Sequence, residues 1–442
     1  MKSNTLVKVI IFFFGISSLS AQQKTNMSLR DAVSLSLEKS DEIGLANTKV
    51  NTKGYELQTV KNNQYPDFKI AAQYLRLTNA EITQKGGGNP SGGTEIPSVN
   101  QLLLGQANMN LPVFAGFKLK NHVVVSSQLY EAEKANAIYT QEEIAIRVIQ
   151  YYAELYKSQK AVELLKENIK SSQQRVSDFK AMEENGLIAR NDLLKAQLQV
   201  SKVQLSLDEA EKNGRMINYY LVQLLKLSPE TIIEVSPENI DKNLFENKLY
   251  SEEEALDNRK DLEAVHFLEK ASESGIKVAR SGYFPTIGLV AGYVALDLHN
   301  FVTIANALDF GVGINYNLSS VFKNGKQVKA AKSRAIETQK QALILTDNIK
   351  SQIVNANEEY QLSLKQEKVY DESVVQANEN FRIVKDKFDN GLSDTNDLLE
   401  ADLQYLSTQI NQADAKANVA LQYYELLNAS GQLLKSFNFS KN

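Results

Sequence analysis

Between Phe117 and Glu184 the chain runs for 68 residues without a proline or a glycine. Nothing in that run stops a helix, and at 1.5 Å per residue it reaches roughly 100 Å. A second unbroken run extends from Lys326 to Asp389. Rods of this length need partners of comparable length to cover their apolar stripes.

Each rod is followed by the same phrase. Asn185-Gly186-Leu187-Ile188-Ala189-Arg190-Asn191-Asp192-Leu193-Leu194-Lys195-Ala196 recurs as Asn390-Gly391-Leu392-Ser393-Asp394-Thr395-Asn396-Asp397-Leu398-Leu399-Glu400-Ala401, with eight of twelve positions identical at an offset of 205. Glycine closes a helix in the left-handed conformation at low cost, and an Asn or Asp shortly afterwards caps the next one. Each copy therefore predicts a tight reversal, with tips at 185–191 and 390–396. In the first rod Val148, Tyr151, Leu155, Val162, Leu165, Ile169, Val176 and Phe179 lie on a seven-residue grid, with Ser158 and Ser172 in the gaps. The return stretch keeps the grid at Val203, Leu207, Ala210, Gly214, Ile217, Leu221 and Leu224. Rod and return read as an antiparallel coiled-coil hairpin. In the second rod Ala342, Leu345, Ile349, Ile353, Ala356, Tyr360 and Leu364 advance by about 3.67 residues per step, the spacing of a nearly straight helix.

The segments before the rods also repeat. Two amphipathic helices are predicted from Ser28 to Lys61 with a break near Ser40-Asp41, and one helix from Ser251 to Gly282. Tyr65-Pro66 and Phe284-Pro285 end them and open extended stretches. Strands are predicted at about 67–78 and 101–113, then at about 286–296 and 307–318. Leu308, Phe310, Val312, Ile314, Tyr316 and Leu318 fall on one face of the last, and Asp309, Gly311, Gly313, Asn315 and Asn317 on the other. Such alternation fits a lipid-facing strand and a half-buried soluble sheet alike. Residues 22–236 and 237–442 are thus two tandem repeats of helix, two strands, very long helix, turn and return helix, joined by a connector between Pro229 and Pro237. The glycine-rich stretch 85–93 lacks the Gly-Lys-Ser/Thr frame of a phosphate cradle and reads as a loop.

Lys2 and Lys8 precede the apolar run Val9–Ile16, and small residues follow to Ala21, so residues 1–21 read as an export signal. Its removal takes the formal charge from −4 to −6, because two lysines leave. No later stretch is long and apolar enough for a transmembrane helix, so membrane insertion requires strands. The mildly acidic balance excludes an electrostatic nucleic-acid footprint. With no cysteine there is no disulfide, thiolate metal site or cysteine nucleophile, and His122, His266 and His299 are widely spaced. No catalytic residue, cofactor or metal is implied. The chain does not read as an enzyme.

Two halves, each with a Phe-centred strand-to-helix junction (Pro112-Val113-Phe114-Ala115-Gly116 and Ser320-Val321-Phe322-Lys323-Asn324-Gly325) and a Gly-Leu…Asp-Leu-Leu…Ala tip, resemble the TolC-like outer-membrane efflux proteins over roughly residues 27–431. The resemblance implies a mostly α protein with a membrane β part. Three chains of four strands would form a transmembrane β-barrel, continued by a long α-helical barrel of coiled-coil hairpins. It implies a passive exit duct of a tripartite efflux or type I secretion system, in the outer membrane and extending into the periplasm. Its partners would be two further copies, a periplasmic adaptor (membrane fusion) protein, an inner-membrane transporter and outer-membrane lipid. The chain departs from some members in lacking a lipid-anchoring cysteine and in ending soon after the last helix. The alternative is a soluble periplasmic coiled-coil adaptor or structural protein.

The resemblance also assigns sites. Gly186, Leu187, Leu193, Leu194, Gly391, Leu392, Leu398 and Leu399 fall at the adaptor-docking tips, although the leucines of the Asp-Leu-Leu segments would equally pack the turn itself. Acidic Asp397 and Glu400, three residues apart on one helix face, would form carboxylate rings that gate the tube. The bland reading makes Asp397 a helix cap and Glu400 a solvated side chain. In the first repeat Asp192 and Lys195 take these places, and Lys195 is expected to pair with a neighbouring chain.

Overall fold

The computed structural model describes residues 24–78, 99–236, 248–299 and 301–437. The expected signal at 1–21 and the stretch 85–93 lie outside the described residues. The two rods are α3 (Lys118–Glu184) and α7 (Ser320–Asp389), and their returns are α4 (Arg190–Leu224) and α8 (Thr395–Ala429). The seven-residue grid carries the packing between α3 and α4: Val148, Leu155, Leu165, Ile169, Phe179, Val203, Leu207 and Leu221 are all buried. Small residues let the helices approach at the grid's gaps. Ser158 Oγ donates to the Ala210 carbonyl at 2.8 Å, and a Cβ on Gly214 would meet that oxygen at 2.8 Å.

Ahead of α3 stand α1 (Leu29–Lys39) and α2 (Asp41–Asn62), broken where expected; Ser40 closes one and caps the other by accepting from the Glu42 N–H. The helix expected over Ser251–Gly282 is instead two, α5 (Glu252–Asn258) and α6 (Lys260–Arg280), because Arg259 is extended and its guanidinium grips Asp261 at 2.7 and 2.9 Å. Ser251 and Glu254 form a reciprocal capping box on α5.

The four main strands are β2 (Asp67–Arg76), β3 (Gln101–Phe114), β5 (Thr286–Leu298) and β6 (Val302–Asn315), all antiparallel in the order β2-β3-β5-β6. The last strand begins and ends earlier than the alternation suggested. Asn317 stops it: its side-chain oxygen accepts from the backbone N–H and hydroxyl of Ser319, and its carbonyl accepts from the Ser320 N–H. Helix α7 starts at once, so Tyr316 and Leu318 leave the strand, and Val321, Phe322 and Gly325 fall inside the helix. The two Phe-centred junctions therefore differ, since Val113 and Phe114 end β3.

The connector holds an element that the repeat did not announce. β4 (Ile232–Val235) pairs in parallel with β1 (Lys24–Met27), tying the start of the chain to its middle. The far edge of β4 is closed by two amide side chains. Gln159 bonds the Ile233 carbonyl and the Val235 N–H, while Asn218 bonds the Thr231 carbonyl and the Ile233 N–H. Tyr152, fully buried, donates to the Met27 carbonyl beside this sheet. The main core gathers here at mid-height, and α9 (Leu433–Ser436) completes it.

In the half nearer the sheet, α2 packs on α3, α3 on α6 and α6 on α7. That order repeats the strand order, because α2 leads into β2, β3 into α3, α6 into β5 and β6 into α7. In the far half α4 packs on α3, α3 on α8 and α8 on α7. Helices α3 and α7 thus run the full height, whereas α4 is stacked under α2 and α8 under α6. An ion pair from Lys226 to Asp41 joins the first stack, and Lys435 donating to Asn258 joins the second.

Candidate functional site

Both tips are built alike. Gly186 and Gly391 sit at φ +73° and +71° with open space where a Cβ would be. Leu187 N–H donates to the Met182 carbonyl and Leu392 N–H to the Lys387 carbonyl, at 2.9 and 2.8 Å. These bonds cover the orphaned carbonyls at the end of each rod. Asn185 and Asn390 repeat one another, each donating its amide to the carbonyl four residues back at 2.7 Å. The start of the return helix differs between copies: Asp394 accepts from the Asp397 N–H at 3.0 Å, whereas Ala189 has no side chain with which to do so.

The tip leucines divide. Leu193, Leu398 and Leu399 are buried in a cluster with Phe179 and Ala196, so they pack the turn and offer no docking surface. Leu187 and Leu392 are 70% and 78% exposed, and Leu194 also faces outward. Phe179 stacks on Phe388 with ring centroids 5.4 Å apart, locking the two hairpins together behind the turns.

Asp397 and Glu400 both lie on the exposed face of α8's first turns, opposite Leu398 and Leu399. Asp397 is not the cap; Asp394 is, and the Asp397 carboxylate accepts from Ser393 Oγ at 2.8 Å. In the first repeat Lys195 contacts Asp192 of its own helix at 3.3 Å.

Sequence reading missed a polar bridge one turn behind these groups. Asp402 sits on the buried stripe between Leu399 and Leu406 and accepts from Arg175 Nη1 at 2.9 Å and from Asn168 Nδ2 at 3.3 Å. Gln199 Nε2 donates to the Leu399 carbonyl at 3.3 Å beside it. A carboxylate on an apolar stripe was the available signal, because such a position requires a buried partner. A second such group is Glu142, buried near Arg259; burial lifts its carboxyl to about 7 against the pull of that arginine.

At the other end, pairing places Phe68, Ile70, Leu103, Met109, Leu111, Phe114, Ile287, Leu289, Leu308, Phe310, Val312 and Ile314 on one face of the sheet. Phe310 is 89% exposed and Leu308 77%. The opposite face carries Lys69, Gln73, Gln106, Asn108, Asn110, Asp309 and Asn315, with glycines between. A contiguous apolar face of this size requires a non-aqueous partner. Among the described residues no helix is long and apolar enough to cross a membrane.

The comparisons with known proteins agree with this geometry. The model of the family described as "Outer membrane efflux protein" matches residues 32–225 and 252–432. The outer membrane efflux protein BepC of Brucella suis is 20% identical over 332 residues, covering 74% of this chain and 71% of that protein. The outer membrane protein VceC of Vibrio cholerae superposes with a TM-score of 0.79 at 17% identity, covering 91% of this chain and 96% of that one. The MtrE outer membrane channel of Neisseria gonorrhoeae, in its open state, does so with a TM-score of 0.76 at 18% identity, covering 92% and 89%. With two rods, two matching tips and a sheet bearing one apolar face, the chain belongs to the outer membrane efflux protein family, whose members are exit ducts in the outer membrane and not enzymes.

Proposed function

We propose that three copies of this chain close into a single duct. Their twelve strands form a barrel through the outer membrane, and their helices continue it as a tube across the periplasm. The observation that carries this reading is the shared order of strands and helices, β2-β3-β5-β6 above α2-α3-α6-α7. One chain is then a curved panel whose edges at every height lie on β2, α2 and α4 on one side and on β6 and α7 on the other. An open sheet edge has no place in lipid, so each β6 pairs with the next copy's β2. Exposed Leu198 and Leu205 on α4, and Val354, Leu362 and Val369 on α7, supply apolar stripes for the same closure below.

The two halves of each panel, 22–236 and 237–442, are the tandem repeats, and the two stretches matched by the family model support that division. The tips receive a periplasmic adaptor through Leu187, Leu392 and Leu194, and the adaptor connects the duct to an inner-membrane transporter. Asp397 and Glu400 ring the entrance. The duct is passive, and its partner selects the small molecules or proteins exported. The soluble-adaptor reading is not favoured, since the family match covers both hairpins and the segments that carry the strands.

Chemical crosslinking of the full chain in mild detergent tests the assembly. A three-chain species rich in both helix and strand is expected, whereas a stable monomer that needs no detergent overturns it.

A further inference from the structure

The turn between β3 and α3 contains two successive left-handed residues, Gly116 and Phe117, both at φ 60°. At Gly116 the conformation is forced by space as well, since a Cβ would lie 2.8 Å from both the Phe284 Cβ and the Ser281 carbonyl. For a bulky aromatic such as Phe117 the left-handed conformation is costly. Asn121 props it by donating to the Phe117 carbonyl at 3.0 Å. The result is a ring held 63% exposed. It meets Phe114 edge-on at 5.5 Å, and Phe284, also half exposed, meets Phe114 edge-on at 6.4 Å. Phe114 pairs with Ile287 and so belongs to the apolar face of the sheet. The three rings therefore mark the outer surface at the end of the sheet nearer the helices, where aromatic side chains gather at a membrane boundary.

Directly below the rings lies a groove of about 460 Å³ between the start of α3 and the end of α6. Its lining includes Lys120, Lys277 and Arg280, together with Ser274 and Asn121, and no carboxylate. All three cations are exposed, and no ion pair engages them among the described residues. This contrasts with the helix surfaces farther down, where lysines are repeatedly paired with acids three or four residues away. A cationic groove beneath an aromatic rim, on the same side as the lipid face, has the chemistry of a lipid headgroup site.

We propose that this groove binds the phosphate headgroup of an anionic phospholipid of the periplasmic leaflet, with Lys120, Lys277 and Arg280 around the phosphate and Phe117 and Phe284 against the first acyl carbons. The assignment rests on the reading of the apolar sheet face as lipid-facing. The lysine stems lie along the wall while their ammonium groups reach the headgroup level. The site would anchor the helix end of the sheet at a fixed depth in the leaflet.

Native mass spectrometry of the full-length protein in mild detergent, titrated with phosphatidylglycerol or phosphatidylethanolamine, tests the assignment. The wild-type three-chain species is expected to retain phosphatidylglycerol with a preference of roughly tenfold or more, since each basic side chain at an anionic surface counts for several-fold. The preference should fall as salt is raised. The triple variant Lys120→Gln/Lys277→Gln/Arg280→Gln should lose it while remaining a three-chain species. A matched triple on α7, Lys323→Gln/Lys326→Gln/Lys329→Gln, should keep it. Equal retention of both lipids by the wild type overturns the proposal whatever the variants do, and so does equal loss in the α7 triple. Competition by inorganic phosphate at the lipid's own concentration assigns the groove to a free anion and also overturns it. Failure to form the three-chain species at all is a failure of the barrel reading instead.

Discussion

Arg175 and Asp402 form an ion pair of 2.9 Å between the first hairpin and the second, with little of either side chain reaching solvent. Arg175 also lies over the Phe381 ring at 5.9 Å, so one guanidinium touches α3, α7 and α8 close to the tips. Removing one partner of such a pair strands a buried charge, at a cost of about 3–5 kcal/mol. Asp402→Ala is expected to lower the unfolding temperature of the helical part and to speed amide hydrogen exchange around Phe179 and Phe388. Replacing both partners together, Arg175→Met with Asp402→Leu, should restore most of the stability.

The proposed entrance ring of Asp397 and Glu400 is expected to act through charge and not through folding. Changing Asp397 and Glu400 together to Ala should weaken cation selectivity and block by multivalent cations in planar-bilayer recordings, with thermal stability unchanged. Asp394→Ala removes the cap instead, so it should cost about 1 kcal/mol in the stability of α8 and leave selectivity as it was.

At Gly186 and Gly391 the penalty of a side chain is conformational alone, because a Cβ meets nothing within 4 Å. A β-branched residue held in the left-handed conformation costs on the order of 1–2 kcal/mol at each site. The double variant Gly186→Val/Gly391→Val should reshape both tips and cripple export, measured as accumulation of an effluxed dye, while crosslinking still gives the assembled species.

Glu142 makes stability depend on pH. The folded chain holds its proton up to about pH 7, whereas the carboxyl's ordinary value is 4.5. Between those values the folded state binds more protons than the unfolded one, so this group's contribution is fully present below pH 4.5 and is lost as pH rises to 7. The span is worth on the order of 3 kcal/mol. Glu142→Gln should flatten the corresponding slope in thermal unfolding scans, with the difference from wild type growing from pH 5 to 7.

Much of this fold is visible in the chain itself, because its largest elements are specified locally. Absence of glycine and proline sets both rods, the seven-residue grid sets the α3–α4 face, and Gly186 and Gly391 set the reversals. What the chain hides depends on residues far apart in sequence. Arg259 breaks a helix of good local propensity because its side chain finds Asp261, Gln352 and the Ala429 carbonyl. The β1–β4 pair is four residues long on each side, too short for periodicity to declare. At the site, Asp397 and Glu400 were legible as an acidic pair on one helix face. Their separation from the cap was not, since Asp394 and Asp397 are chemically equivalent until the turn geometry chooses between them. Leu193 and Leu194 make the same point: adjacent and identical, one is buried and the other is not.

The stacking of α4 under α2 and of α8 under α6 has a mechanical consequence. Of the four staves in each panel, two are single helices of roughly 100 Å and two are butted end to end at mid-height. Stretching or overwinding a continuous helix breaks its own hydrogen bonds, whereas movement at a joint repacks side chains: Lys226 with Asp41, Lys435 with Asn258, and Leu225 and Leu427 in the mid-height core. An unbroken main-chain path between tips and sheet therefore runs through α3 and α7, whereas the other two staves connect through side-chain packing. A torque applied at the tips is expected to reach the sheet first along α3 and α7, with the mid-height core as the place where the two jointed staves yield.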